Sequence, residues 1–438
     1  MKKSYALIHF RSKSLQFFGL SLLFSLSLFA QVEDTDNTSI NVDWDICKYY
    51  PESETRISSI PVPDYIKQKM ESRGTACSTF IVSYSGFTPV AQTAFQFAVD
   101  IWANSIESPI PIRISAQFGP LDPGVLGGAG PTDFKSVLIP GAPSNTAYPI
   151  ALAEKLTGAE FPEGPSPTSV DISATFSSTA NFYFGLDANP PGSQVDFVSV
   201  VLHELGHGLG ILGFARTDDP DNPTMGILRS GVFVNVWDNF IENGTLAGIR
   251  SFPDPSVALL GEITGNNLFS NGPITTAQNG GIKPSTYAPA IYSQGSSYSH
   301  WDEATYPAGN ANSLMTPFIA PGEAIHDPGL VTLGFMEDMG WSICGGSLTV
   351  EDFTLDSVEV SPNPFTSLIE IKLSNRFNDD YDINLYDING RIVLSEVKAV
   401  SKSTMTISNL DNLDDALYFV KITNQRNGAS ITKKIIKN

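Results

Sequence analysis

Residues 201–214, VLHELGHGLGILGF, place His203 and His207 four residues apart, with Glu204 between them. On an α-helix, residues four apart project from the same side one turn apart, so both imidazoles can reach one metal ion. A zinc site that does chemistry ordinarily has three protein ligands and one open position. In a common form of this motif the third ligand is a histidine six residues after the second. Gly213 holds that position here, so the third ligand must come from elsewhere in the chain.

The residues around the motif predict a helix that ends soon after it. Apolar residues recur at helical spacing from Phe197 to Leu209. Glycines at positions 206, 208 and 210 each cost roughly 1 kcal/mol relative to alanine in a helix interior. They make sense where metal, substrate and a helix end crowd the backbone. Gly210 is expected to adopt a left-handed conformation and end the helix.

Composition and the N-terminus indicate an exported globular protein. The 438 residues suggest two or three domains, and 42% are hydrophobic, which is enough for a core. The formal net charge of -20 argues against nucleic acid as a partner. Basic residues precede a short apolar run that ends at Ala30, which predicts a secretory signal peptide over residues 1–30. Because the run is short and polar sequence follows, no transmembrane span is expected after the signal peptide is removed.

Three further histidines and one carboxylate are candidates for the third ligand. His9 leaves with the signal peptide. His300 lies in SYSHWDE, and fifteen residues later Met315 lies in SLMTP. His326 precedes Asp-Pro-Gly, which favours a capping or surface role before the last helix. Glu242, in NFIENG, is the best carboxylate alternative.

The order HELGHGLG, a long insertion, SHWDE and LMTP resembles the leishmanolysin-like branch of the metzincin metalloproteases. The resemblance implies that His300 is the third zinc ligand and that Met315 is the Met-turn residue beneath the site. It implies a two-lobed protease domain over residues 78–343, with the cleft between the lobes. It also places the strand at 171–178, DISATFSS, at the sheet edge beside the cleft, where an extended substrate adds by backbone pairing.

The motif predicts metal-assisted peptide hydrolysis. One Zn²⁺ held by His203, His207 and His300 lowers the pKa of a bound water towards about 7. Glu204 is then the general base, which takes a proton from this metal-activated water and hands it to the leaving amine. Calcium at the acidic loop 216–223 is unsupported, since a solvated turn explains that loop better.

The rest of the chain predicts an α+β protein with a separate C-terminal module. Residues 31–77 are interpreted as an irregular extension or pro-segment, followed by strands near 78–86 and 110–118 and a helix capped by Thr88 with Pro89 first. A closing helix is expected to stop near Gly340. Cys47, Cys77 and Cys344 allow one disulfide whose pairing the sequence leaves open. Cys47 also raises the option of a pro-segment thiolate on the metal.

After a linker at 344–351, short alternating strands over 352–438 predict a small all-β sandwich. The segments VEVSPNPF, LYDINGRIV, ALYFVKI and KKIIKN resemble the C-terminal sorting domain of the bacterial type IX secretion system. That resemblance implies the secretion machinery as a partner and export across the outer membrane.

Together these features predict a secreted or cell-surface zinc endopeptidase that acts on proteins or peptides. Two other classes stay open. One is an extracellular binding or adhesive protein with a non-catalytic zinc site, and the other is a zinc hydrolase with non-protein substrates.

Overall fold

The computed structural model describes residues 47–71, 76–161, 169–345, 358–372, 380–388, 390–399, 404–424 and 430–438. The expected signal peptide lies outside these ranges. No helix within them has the length and apolar character that crossing a membrane requires. The described chain is a mixed α and β structure with many small sheets.

The helices of the described ranges are short and connect many short strands. In chain order they are α1 (Asp64–Glu71), α2 (Pro89–Ala103), α3 (Ile150–Thr157), α4 (Phe197–Leu209), α5 (Val257–Ile263), α6 (Pro273–Gln278) and α7 (Leu330–Met339). The first strands are β1 (Cys47–Pro51), β2 (Ser58–Ile60), β3 (Phe80–Ser85), β4 (Ile106–Glu107), β5 (Ile112–Gly119), β6 (Gly127–Pro131), β7 (Phe134–Lys135), β8 (Thr146–Pro149), β9 (Ile172–Ser177), β10 (Phe182–Tyr183) and β11 (Val195–Asp196). They are followed by β12 (Arg216–Thr217), β13 (Gly226–Ile227), β14 (Val234–Asn235), β15 (Ile241–Asn243), β16 (Leu268–Ser270), β17 (Phe318–Ile319), β18 (Glu323–Ile325) and β19 (Ser342–Ile343). The C-terminal strands are β20 (Glu359–Ser361), β21 (Ile369–Lys372), β22 (Asp380–Tyr386), β23 (Ile392–Ala399), β24 (Thr404–Ile407), β25 (Leu417–Asn424) and β26 (Ser430–Ile436).

The largest sheet has the order β17-β1-β6-β9-β5-β3. Strands β3, β5 and β9 are parallel, whereas β6 runs antiparallel to β9. The expectation that the strand at 171–178 forms the edge beside the cleft is therefore wrong, because β9 is paired on both sides. The neighbour of β9 on the side of the site is β6, which is itself paired with β1, so the edges of this sheet are β17 and β3. The sequence of β6, GGAGP, has the glycine and proline that ordinarily weaken a strand.

The N-terminal segment also departs from expectation. Irregular structure was predicted over residues 31–77, but β1 pairs antiparallel with β6 on one side and parallel with β17 on the other. Strand β2 pairs with β18. Backbone pairing with partners far along the chain supplies what the local sequence does not, so residues 47–51 are built into the largest sheet.

Helix α2 follows the sequence signals closely and supports the motif helix. The side chain of Thr88 accepts a hydrogen bond from the backbone N–H of Ala91, and Pro89 occupies the first turn. The indole Nε1–H of Trp102 donates to the carbonyl of Leu202 at 3.0 Å, and both residues are buried. Helix α2 thus fixes α4 against the sheet.

One disulfide joins Cys77 to Cys344, with their Cα atoms 5.8 Å apart. The sequence left this pairing open. The side chain of Cys47 lies outside what the structure describes. The bond closes a loop with a sequence separation of 267 residues, which contains the whole motif helix.

Replacing both cysteines, as Cys77→Ala with Cys344→Ala, is expected to destabilise the fold. Native disulfides that close long loops commonly contribute about 2–5 kcal/mol to the free energy of unfolding. Chemical denaturation of the oxidised wild type and the double variant measures the difference. Equal unfolding midpoints would contradict the expectation.

The C-terminal strands form two sheets around one apolar core. Their orders are β20-β21-β24 and β23-β22-β25-β26. Strand β21 alternates buried Ile369 and Ile371 with exposed neighbours, and these isoleucines share a buried cluster with Ile383 and Val420 of the second sheet. This arrangement is a two-sheet β-sandwich.

Candidate metal centre

Helix α4 carries the motif through the core. The carboxylate of Asp196 caps its first turn by accepting from the N–H of Ser199 at 2.8 Å. Every residue of the helix is buried, and it ends at Gly210 with φ 123°. His203 and His207 therefore lie one turn apart on a buried helix.

The structure brings three histidines together. The Nε2 atom of His207 lies 3.0 Å from that of His203 and 3.1 Å from that of His300. The Nε2 atoms of His203 and His300 are 3.2 Å apart. The three nitrogens form a nearly equilateral triangle at a buried position.

The opposite ring nitrogen of each histidine is bound to a backbone carbonyl. The Nδ1 of His203 donates to Leu314 O at 2.7 Å. The equivalent bonds run from His207 to Ile211 O at 2.5 Å and from His300 to Ser296 O at 2.6 Å. A carbonyl only accepts, so each Nδ1 carries the proton of the neutral ring and each Nε2 presents a lone pair.

Three lone pairs that converge within about 3 Å repel one another unless a cation lies between them. Zinc bonded at about 2.0–2.1 Å to nitrogens at tetrahedral angles separates those nitrogens by about 3.3–3.4 Å. The observed separations of 3.0–3.2 Å are a few tenths of an ångström shorter, so small outward shifts of the rings would admit the ion. Hydrogen bonds from the second ring nitrogen, like those from the three Nδ1 atoms to backbone carbonyls, orient the histidine ligands of zinc sites. The residues present therefore fit one zinc ion.

Burial keeps these rings neutral. It lowers the pKa of His207 to about 4. Burial, followed by the charge of neighbouring imidazoles, lowers the pKa of His203 and His300 well below the usual value. Neutral imidazole is the form that binds a metal.

Glu204 is held beside this group by the sheet. Its Oε2 accepts the N–H of Ala129, in β6, at 2.7 Å. Its Oε1 is buried without a hydrogen-bond partner. Burial raises the pKa of this carboxyl well above its ordinary range, and the bond from Ala129 opposes the shift. One oxygen is thus fixed while the other is available to a ligand.

The segment of Met315 forms the floor of the site. A Cβ on Gly206 would lie 2.7 Å from the sulfur of Met315, so only glycine lets this side chain approach α4 so closely. Leu314 O orients His203, and the N–H of Trp301 donates to Met315 O at 2.9 Å, next to His300. One short segment therefore positions two of the three histidines.

Gly213 shows why the usual position of the third ligand is not used. A Cβ there would lie 2.2 Å from the ring of Tyr298 and 2.7 Å from Oδ1 of Asp238. The hydroxyl of Tyr298 donates to that same carboxylate. A histidine at this position would displace both groups.

The rival third ligands lie elsewhere. His326 is fully buried, with Nε2 2.8 Å from Oδ2 of Asp196, so it supports the cap of α4 and does not lie on the surface. Glu242 binds Lys283 and Asn271. In the acidic loop, Asp218 accepts the N–H groups of Thr224 and Met225, as a turn does.

Replacing His326 by alanine is expected to weaken the fold and to leave the metal in place. The change removes the hydrogen bond between His326 and the buried carboxylate of Asp196. Loss of such a partner lowers the free energy of unfolding by about 1–3 kcal/mol. Thermal unfolding and zinc content of the same preparation measure the two effects. Loss of zinc at unchanged stability would reverse the roles of His326 and His300.

Two residues of the site escaped sequence reasoning. Ala129 acts through its backbone in a glycine-rich strand that carries no periodic signal. Tyr49 stacks on His203, with ring centroids 3.8 Å apart and planes 7° apart. Tyr49 lies in the segment 31–77, which the sequence predicts to be irregular, so no local pattern indicated that it belongs to the site.

A second group of donors, Cys77, Glu107 and Cys344, also lies within 4.8 Å. Its two sulfurs are joined to each other in the disulfide, so it is not a comparable metal site.

Two family matches were found within the chain. Residues 359–438 match the family described as the secretion system C-terminal sorting domain. The C-terminal β-sandwich is a sorting domain. It directs export through type IX secretion to the cell surface or the extracellular space, and the secretion machinery is its partner. Residues 144–219, which include α4, match a family described as SPBPB7E8-like.

No curated protein is significantly similar to the chain. Among solved structures, a DUF3244 family protein from Bacteroides vulgatus, with an immunoglobulin-like β-sandwich, is 23% identical over 18% of this chain and 83% of its own, at TM-score 0.16. PorZ, a surface component of the type IX secretion system of Porphyromonas gingivalis, is 16% identical over 19% of this chain and 12% of its own, at TM-score 0.16. An fn3 domain of human contactin 1 is 16% identical over 19% of this chain and 74% of its own, at TM-score 0.15. Similarities this limited carry no functional argument.

Proposed function

We propose that the chain is a secreted zinc-dependent endopeptidase with Glu204 as general base. The observation that carries this proposal is the convergence of three neutral imidazoles, with their lone pairs towards one point, beside a buried carboxylate. The family matches name no enzyme, so the proposal rests on this geometry and on the resemblance to leishmanolysin-like metzincins. In the two-lobed arrangement of that family, α4 and the Met315 segment are the elements that border the cleft.

His203, His207 and His300 would hold the ion. When bound, zinc supplies Lewis-acid chemistry, which acidifies water and polarises a carbonyl. A cation next to Glu204 also favours its charged form, which opposes the effect of burial on its pKa.

The protein side chains then do the proton transfer. The bond from Ala129 holds Oε2 of Glu204, so its Oε1 can take the proton of the attacking water. The same carboxyl returns that proton to the nitrogen of the departing amine. The side of β6 that pairs with β1 would, with β1 displaced, offer backbone groups that align an extended peptide beside the carboxylate. A peptide bond is therefore the substrate that this strand and this base suit together.

Metal analysis with a paired activity assay tests the proposal. The purified chain is expected to contain one zinc per molecule, and a form of it from which the residues up to Ser53 have been removed is expected to hydrolyse a fluorescence-quenched peptide. Zinc without hydrolysis in every form of the chain would favour the extracellular binding protein with a non-catalytic site. Hydrolysis of ester or amide compounds but not of peptides would favour a hydrolase with other substrates.

A further inference from the structure

Strand β1 lies across the candidate active site as an extended peptide. It pairs antiparallel with β6, with Tyr49 opposite Gly127, and the same β6 holds Glu204 through Ala129. On its other side it pairs parallel with β17, where Tyr50 is opposite Phe318. Strand β17 begins three residues after Met315. Both partners of β1 are therefore elements of the site itself.

Tyr49 covers the histidines from this strand. Its ring is stacked on His203, and its side chain is 1% exposed. Its hydroxyl donates to Phe318 O at 3.2 Å. The side chain thus fills a pocket between the imidazole and the segment after Met315. Nothing else can occupy that pocket while β1 is in place.

We propose that β1 occupies the place of a bound substrate peptide, so that the chain is latent until β1 leaves, and that Tyr49 fills the pocket for a substrate side chain. The inference rests on the proposed peptidase function, because it identifies β6 and β17 as the strands between which that peptidase would bind its substrate. An intramolecular strand acts at an effective concentration of about millimolar, so it excludes peptides that bind with micromolar affinity.

The surroundings of Tyr49 indicate which side chains the pocket accepts. The hydroxyl of Tyr49 donates to the backbone carbonyl of Phe318, so the inner end of the pocket presents a hydrogen-bond acceptor. The pocket therefore suits a ring or long side chain whose tip donates a hydrogen bond, and it disfavours an acidic side chain.

The first experiment releases β1 without altering it. A recognition sequence for a site-specific protease is inserted between Ser53 and Glu54, which are both exposed. Cleavage turns the intramolecular strand into a separate peptide, which is expected to dissociate on dilution. The rate of hydrolysis of a quenched peptide should rise about tenfold or more, and excess peptide of residues 46–53 should reverse the rise.

The second experiment uses matched tyrosines of the same strand. Tyr49→Ala removes the ring on His203, whereas Tyr50→Ala removes the next side chain, which points to the other face of the sheet. The probe is a fluorescent peptide of residues 46–53 with Cys47→Ser, and its binding is followed by anisotropy. Tyr49→Ala is expected to bind this probe about tenfold or more tightly than wild type, and Tyr50→Ala as wild type does. A probe with glutamate at the Tyr49 position should bind about tenfold more weakly.

The outcomes separate this inference from the proposed function. Tighter probe binding by Tyr49→Ala without hydrolysis would support the claim that β1 occupies a peptide-binding site and would overturn the proposed peptidase function. Equal probe binding and equal hydrolysis by wild type, Tyr49→Ala and the cleaved chain would overturn the inference while the peptidase stands. Equal binding of the probes with tyrosine and with glutamate at this position would overturn the proposed side-chain preference of the pocket. Thermal melting of each variant shows that it is folded, and the cleaved chain decides the question should Tyr49→Ala not fold.

Discussion

Replacing Glu204 by glutamine is expected to abolish most peptide hydrolysis while zinc remains bound. Glutamine keeps the size of the side chain and a carbonyl oxygen that can accept the N–H of Ala129. It cannot take a proton from water, and loss of a general base typically costs about 10²–10⁴-fold in rate. The measurement is the rate of hydrolysis of a quenched peptide by Tyr49→Ala chains with and without Glu204→Gln, together with their zinc content.

Glu154 offers a matched control for this change. It is also a buried glutamate, and its Oε1 accepts the N–H of Phe161 at 2.7 Å. It lies outside the three-histidine group, so Glu154→Gln is expected to leave hydrolysis unchanged. Should Glu204→Gln keep the rate of its parent, Glu204 is not the base, and the proposed mechanism fails.

Replacing His300 by alanine is expected to empty the metal site. The other two imidazoles lie on one helix and can still meet an ion, but two ligands bind zinc far more weakly than three. Zinc measured after dialysis against a chelator should fall to a small fraction of the wild-type value, and hydrolysis should fall with it. The thermal stability that zinc confers should also disappear, since a ligand at about 1,000 times its Kd adds about 4 kcal/mol.

His326→Ala is the control for this loss. It removes a buried histidine that lies outside the three-histidine group and whose partner is the carboxylate of Asp196. The variant is expected to unfold earlier but to retain zinc. Retention of one zinc by His300→Ala and its loss from His326→Ala would show that the third ligand was assigned to the wrong residue.

Local and periodic features of the fold were predictable from the sequence. The helix capped by Thr88, the end of α4 at Gly210 and the end of α7 at Gly340 follow from caps and helical spacing. Their physical causes act within a few residues, so a window of sequence contains them. The alternating strands of the C-terminal domain are similar, because each buries one face of a sheet.

The strands that build the site could not be predicted in this way. Strand β6 is GGAGP, and its register is set by pairing with β9 and β1, far away in the chain. Strand β1 is short, and its partners β6 and β17 are distant in sequence. The resemblance gave β9 an edge position, which is wrong because β9 pairs with both β5 and β6. Backbone pairing of this kind leaves little trace in the side chains.

The candidate site was partly predictable. His203, Glu204 and His207 are visible because a helix fixes their geometry from spacing alone. His300 could be shortlisted because few histidines remain after the signal peptide, but its choice over His326 depended on a resemblance. The convergence itself depends on contacts such as Trp301 N–H to Met315 O, which join segments that the sequence does not link.

X-ray absorption at the zinc edge of the purified wild-type chain tests the central claim most directly. Three imidazole nitrogens at about 2.0–2.1 Å around one zinc ion per chain are the expected result. A spectrum with two or fewer imidazoles, or a chain that takes up no zinc at all, would contradict it.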